Sequence, residues 1–288
     1  MEFRKFVPAR FRKDKVVVPV VRLHGAIAAS SGPFRQGLSL ASAAPVLERA
    51  FSFKRAPAVA ISVNSPGGSP VQSRLIVSRI RELAAREDKK VLIFVEDVAA
   101  SGGYMIALAG DEIIADETSI VGSIGVVAAT FGFDKAIGKL GVERRVYTAG
   151  ENKVMLDPFQ PEKKKDITHL RKLQDEIHAI FIDMVKERRG NLLSDDPQIF
   201  SGLFWTGARA RELGLIDHCG LMSVFLRERY GDGVEMRLVT QKRGIFGRAQ
   251  PGVSAGLVSG LGGSVASALP GAMADELEER AAWARFGL

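Results

Sequence analysis

The sequence predicts an α/β protein: a mainly parallel sheet covered by helices, with a helical C-terminal extension. Three observations predict it. Short runs of apolar, often β-branched residues read as buried strands. Segments with apolar residues at helical spacing alternate with them. Turns built from Gly, Ser, Pro and Asn punctuate the strand ends. The alternation matters most, because strands joined by helical crossovers pair in parallel.

Taken in order, Val16 to Arg22 reads as a strand and Leu40 to Phe51 as a helix with Leu40, Ala44, Leu47 and Phe51 on one side. Ala58 to Val63 is a buried strand, and the turn Asn64-Ser65-Pro66-Gly67-Gly68-Ser69 comes after it. The next helix, Val71 to Arg86, carries Leu75, Ile76, Ile80 and Leu83 at helical spacing. Lys90 to Val95 is a strand that leads through Glu96 to Gly103 into the helical segment Tyr104 to Ala109. Glu112 to Ala115 and Val142 to Tyr147 read as further strands. Beyond Pro161 the chain turns helical. Ile167 to Arg189 is amphipathic, with Leu170, Leu173, Ile177, Ile180, Phe181 and Met184 as its apolar face. Helices are expected near Ala208 to Leu213 and Leu221 to Tyr230, and a strand at Met236 to Val239.

The composition is that of a globular protein, at 46% hydrophobic and 25% charged residues. One cysteine, Cys219, excludes an internal disulfide framework and suits a reducing compartment. The net charge of +7 has a focus at residues 1–15, where Arg4, Lys5, Arg10, Arg12, Lys13 and Lys15 form a basic arm. An anionic membrane surface suits such an arm; nucleic acid ranks last, since no aromatic RNA-binding motif or zinc-ligand spacing accompanies the charge. No segment reads as a cleaved signal peptide or a spanning helix, because Pro19, Arg22 and His24 break the apolar run after the arm. The expected division is thus an arm over 1–15, a catalytic domain over 16–240 and a Gly/Ser/Ala-rich tail with a terminal helix, Ala274 to Phe286, over 241–288. The uncharged part of that tail, 251–271, reads as a linker, with membrane contact as the alternative.

Chemistry centres on Ser101, the only hydroxyl in the small-residue turn between a buried strand and a buried helix. Such a turn can present a nucleophile, with the helix N-terminus offering N–H groups to a developing anion. It can equally hold a serine that merely caps the helix. A serine nucleophile needs a base. The histidines are His24, His169, His178 and His218, and the first to come after Ser101 is His169, on the charged amphipathic helix. A lysine works instead where burial disfavours its charged form. Lys153 has suitable neighbours, in Ala149-Gly150-Glu151-Asn152-Lys153-Val154-Met155-Leu156, whereas other lysines, such as Lys163 to Lys165, sit in charged runs.

Five segments in order resemble the signal peptide peptidase A family of serine peptidases, in its short, single-domain form. They are Asn64-Ser65-Pro66-Gly67-Gly68, Ala99-Ala100-Ser101-Gly102-Gly103-Tyr104, Val121-Gly122-Ser123-Ile124-Gly125-Val126, the segment ending at Lys153, and Trp205-Thr206-Gly207-Ala208-Arg209-Ala210 leading into Gly214-Leu215-Ile216-Asp217. The likeness spans about Val16 to Tyr230. It implies the fold shared by Clp protease and the crotonases, a Ser/Lys dyad of Ser101 and Lys153, and a role for Ser123 in orienting the lysine amine. On that reading an N–H from the Gly67-Gly68 turn, with that of Gly102, forms an oxyanion hole. The segment Val121 to Val127, with Gly122, Ile124 and Gly125, then lends a strand edge to an extended peptide.

The expected activity is therefore that of a serine endopeptidase without metal or cofactor, cleaving short apolar peptides such as signal-peptide remnants. A crotonase-like acyl-CoA enzyme and a non-catalytic membrane-associated scaffold are the alternatives. The apolar face of the Ile167 to Arg189 helix needs a partner surface, a lysine base needs burial, and the resemblance implies rings or bowls of subunits. A homo-oligomer larger than a dimer is therefore expected, with Lys153 buried at or near an interface, and pairing with Ser101 of the partner subunit is one arrangement of it. The expected location is cytoplasmic, with peripheral contact to the inner membrane.

Overall fold

The structure is a computed structural model and describes residues 15–29, 37–240 and 280–288. The elements run β1 (Val17–His24), α1 (Leu40–Phe51), β2 (Ala58–Ser65), α2 (Pro70–Glu87), β3 (Lys90–Ala100), α3 (Gly102–Ala107), β4 (Glu112–Ala115) and β5 (Ile120–Gly122). They continue with α4 (Asp134–Lys139), α5 (Lys164–Arg189), β6 (Phe204–Thr206), α6 (Gly207–Glu212), β7 (His218–Cys219), α7 (Met222–Tyr230) and β8 (Glu235–Leu238). The sheet order is β6-β5-β3-β2-β1-β8, with β4 and β7 branching from β3. Every pairing is parallel except β5 with β6. A mostly parallel sheet with helices was the expectation, and it stands.

The two faces of β3 explain why it sits at the centre. Side chains alternate across a strand, so Val91, Ile93 and Val95 join the core under α1, α2 and α3, with Leu47, Phe51, Ile76, Ile80 and Tyr104. Leu92 and Phe94 face the other way, into a smaller core with Val18, Ala60, Ile114 and Leu226 of α7. Phe225 of α7 closes on Phe94 edge to face at 5.7 Å. A strand apolar on both faces is the pattern a central parallel strand requires.

One irregularity aims the chain at the site. Val63 pairs with Val95 but Ser65 with Ala99, so β3 advances four residues while β2 advances two. Asn64 holds this bulge, its Nδ2 donating to Asp97 Oδ2 at 2.6 Å and its Oδ1 accepting from Val98 N–H at 3.1 Å. Ser119 donates its hydroxyl to the Glu96 carbonyl at 2.5 Å. The bulge splits β3 between two partners: Leu92–Val95 pairs with β4 and Val98–Ala100 with β5. A bulge re-aims the strand beyond it, and the end of this strand delivers Ser101.

The C-terminal half of α5 is anchored firmly. Phe181 and Val185 are buried, and Arg188 donates to the carbonyls of Leu108 and Gly110 at 2.8 and 2.7 Å, capping the end of α3. Arg189 forms a two-pronged pair with Asp217 at 2.9 and 3.0 Å and also reaches the Gly214 carbonyl. Further along the expected apolar face, Leu173 and Ile180 stay exposed.

The expected strand at Val142 to Tyr147 does not form. That segment is irregular, exposed and unpaired, part of an arm that leaves the sheet after β5 and returns at α5. β-propensity reports the fit to a pleated, half-buried surface, and no neighbouring strand is there to supply one. Arg144 instead pairs with Asp157 and lies over the Phe159 ring at 4.8 Å. Nearly all other boundaries agree to within a few residues; β3, expected to end at Val95, runs on to Ala100. The basic arm up to residue 14 and the 251–271 segment lie outside the described residues, as does the expected terminal helix before residue 280. No helix among the described residues is long and apolar enough to cross a membrane.

Candidate active site

Ser101 sits where β3 gives way to α3, with φ 52° and ψ −120°. That conformation is rare for a residue with a side chain and costs on the order of 1–3 kcal/mol unless its surroundings impose it. Here they do: Ser101 N–H donates to the Gly122 carbonyl at 2.8 Å and its carbonyl accepts from Met105 N–H at 3.0 Å. The hydroxyl makes no capping bond to the helix. The capping reading of this serine therefore fails, and the side chain stands half-exposed above a buried turn.

The glycine turn comes to meet it. A Cβ on Gly67 would lie 2.8 Å from Ser101 Cβ and 3.0 Å from Gly102 N. Gly67 has φ 106°, and its N–H is already given to Ser65 Oγ at 3.2 Å. Gly68 is the more open of the pair, and a Cβ on Gly102 would come within 3.4 Å of its nitrogen. The Gly68 and Gly102 main chains thus meet beside Ser101. Bonds from Ile27 N–H to the Gly67 carbonyl at 2.8 Å and from Ser69 N–H to the Ile27 carbonyl at 2.7 Å brace this turn. Ser73 adds its hydroxyl to the Ser69 carbonyl from within the core.

Beyond β5 the main chain turns sharply. Gly122 has φ 113°, against the Trp205 ring, where a Cβ would sit 2.8 Å from ring carbons. Ser123 is buried at φ 54°. Its N–H donates to the Leu203 carbonyl at 2.7 Å and its carbonyl accepts from Gly125 N–H at 3.0 Å. Ile124 is buried, and its carbonyl lies 3.1 Å from His178 Nε2. The strand edge expected over Val121 to Val127 is not open at its start, since β5 pairs with β3 on one side and β6 on the other. Only the part from Ser123 onward can meet a peptide.

Lys153 lies in the exposed arm, and its side chain is exposed. Around it, Lys165 pairs with Glu151 at 2.7 Å, and Leu156 N–H donates to Asp166 Oδ2 at 3.1 Å. Among the described residues no hydrogen bond joins Lys153 to Ser101 or Ser123. No histidine takes the base's place either. His24 Nε2 lies 2.8 Å from Ser62 Oγ, which donates in turn to Glu96 at 2.5 Å. In that chain the serine's proton faces a carboxylate and the histidine is a donor, the reverse of what a nucleophile needs. Burial above all holds the His24 imidazole below its usual 6.5, against the pull of Glu96. His218 pairs with Glu112 at 3.2 Å, and His169 is exposed.

Sequence reasoning missed the roles of Asn64 and His178, which act on main-chain groups distant in sequence, and of Ser65, whose hydroxyl oxygen accepts from Gly67 N–H two residues on. Asn64 had a faint local signal as the residue that opens a Ser-Pro-Gly-Gly turn.

Residues 84–229, about half of the chain, match the model of peptidase family S49. The chain is 61% identical over 285 residues to a Na(+)/H(+) antiporter NhaA of Brucella melitensis, a match covering 99% of this chain and 39% of that protein. It is 31% identical over 210 residues to the chloroplastic serine protease SPPA of Arabidopsis thaliana, covering 72% of this chain and 31% of that one. The chain thus spans about two fifths of the length of the Brucella relative and less of the plant one. Among solved structures, a membrane-bound stomatin-specific protease bound to a substrate peptide superposes with a TM-score of 0.48 at 18% identity, over 80% of this chain and 94% of that one.

Proposed function

This chain belongs to peptidase family S49, and from that premise we propose that it is a serine peptidase with Ser101 its nucleophile and Lys153 its general base. The observation that carries the reading is the strained, uncapped Ser101 beside the Gly68 and Gly102 main chains. Ser101 Oγ attacks the scissile carbonyl while its proton passes to the neutral lysine amine. The carbonyl oxygen, now an anion, takes the N–H groups of Gly68 and Gly102. Collapse expels the amine, which leaves with the proton carried by Lys153, and an acyl-enzyme on Ser101 remains. Water activated by the same amine releases the acid. Ser123 orients the lysine amine, and the stretch from Ser123 through Ile124 and Gly125 receives an extended peptide, with Gly122, paired on both sides, setting its direction. Gly67 lets the turn approach Ser101, its own N–H being engaged. Short apolar peptides, such as signal-peptide remnants, are the substrates this reading favours, and the basic residues from Arg4 to Lys15 favour work beside an anionic membrane.

The reading requires a second copy. A lysine acts as a base only where burial disfavours its ammonium form, and Lys153 is exposed in the single chain. The arm that bears it also leaves Phe131 74%, Leu140 76% and Tyr147 90% exposed. An apolar surface of that kind marks an interaction site. Neighbouring chains that cover the arm supply the burial, in a homo-oligomer larger than a dimer. On this reading Lys153 pairs with Ser101 of the partner subunit. Mixing Ser101→Ala chains with Lys153→Ala chains, each inactive alone, is therefore expected to recover peptide hydrolysis, because some sites then combine an intact serine with an intact lysine from the neighbour. Light scattering that finds fully active protein at monomer mass contradicts the assembly.

A further inference from the structure

The main chain itself holds most of the turn from Gly122 to Gly125. Gly122 gives its carbonyl to Ser101 N–H, Ser123 gives its N–H to Leu203, and Gly125 gives its N–H to Ser123. The carbonyl of Ile124 is held differently, by a side chain 54 residues away: His178 Nε2, at 3.1 Å. A carbonyl only accepts, so this nitrogen carries the proton and donates.

His178 reaches the turn from a rigid support. It lies on α5 three residues before Phe181 and seven before Val185, on the face that those two fully buried side chains define. The same helix is fixed further on by Arg188 and Arg189. The imidazole is therefore delivered by a docked helix, the one that begins where the Lys153 arm ends. We propose that His178 is a positioning residue for peptide binding, holding the peptide plane between Ile124 and Gly125 at the angle an extended substrate meets. This rests on the reading of that turn as the substrate's resting place. Ser101, Gly68 and Gly102 are fixed by other bonds, so the loss of His178 loosens substrate without touching the nucleophile.

Two substitutions separate positioning from general structural support. His178→Leu keeps bulk and removes the donor, and His178→Gln restores an N–H at similar reach. In the full chain, His178→Leu is expected to raise KM for a peptide substrate about tenfold with little change in kcat, as the loss of one hydrogen bond to a binding element should. The rate at which a fluorophosphonate labels Ser101 should stay within about twofold of wild type, and His178→Gln should recover most of the KM. An unchanged KM in His178→Leu overturns the inference. So does a parallel loss of turnover and labelling that His178→Gln does not repair. A wild-type protein whose Ser101 fails to label contradicts the nucleophile itself, a result readily told apart from the other two.

Discussion

Ser101→Ala is expected to lower kcat/KM for peptide hydrolysis by about 10⁴-fold or more, the scale on which removing a serine nucleophile acts. The fold should survive, because the hydroxyl makes no capping bond and alanine keeps the Cβ that the φ of 52° already accommodates. Lys153→Arg should be equally inactive. Guanidinium stays protonated at any working pH and accepts no proton, and an exposed side chain contributes little to the fold of the single chain. Steady-state kinetics on a peptide, paired with thermal unfolding of each variant, checks both. Substantial turnover by Lys153→Arg would remove lysine from the mechanism.

Gly68→Ala should be the next most damaging change. A Cβ there would lie 2.1 Å from the Ile27 carbonyl oxygen, at a φ of 136° that suits only glycine. Main chain cannot yield as a side-chain tip can, so the turn must move and carry its N–H away from the anion it serves. Losing one such donor costs about 10²- to 10³-fold in kcat. Gly233→Ala is the control, since nothing lies within 4 Å of a Cβ at that position. Its kcat should match wild type.

Much of this site can be read from the chain because it is local. β2 and β3 are short apolar runs buried on both faces, and the turns after them are written in Gly, Ser and Pro. Ser101, Gly67, Gly68 and Gly102 stand out in those turns directly. Other features depend on partners far away in sequence. Val142 to Tyr147 has the composition of a strand but no neighbour to pair with, and the short β5 and β6 offer too few residues to show a period. The Asn64 clamp and the His178 contact join a side chain to main-chain atoms 34 and 54 positions away. Nothing in the neighbouring residues signals the His178 contact, and Asn64 offers only its place at the head of a Ser-Pro-Gly-Gly turn. Whether Lys153 is buried depends on a surface that the single chain does not itself provide.

The identity of the activated serine is the most direct test of the mechanism. Incubation with a fluorophosphonate, and then peptide mass spectrometry, should find the adduct on Ser101. It should be absent from Ser101→Ala and strongly reduced in Lys153→Met. An adduct on Ser62 or Ser123 in place of Ser101, or labelling of Lys153→Met at the wild-type rate, would contradict the Ser/Lys account.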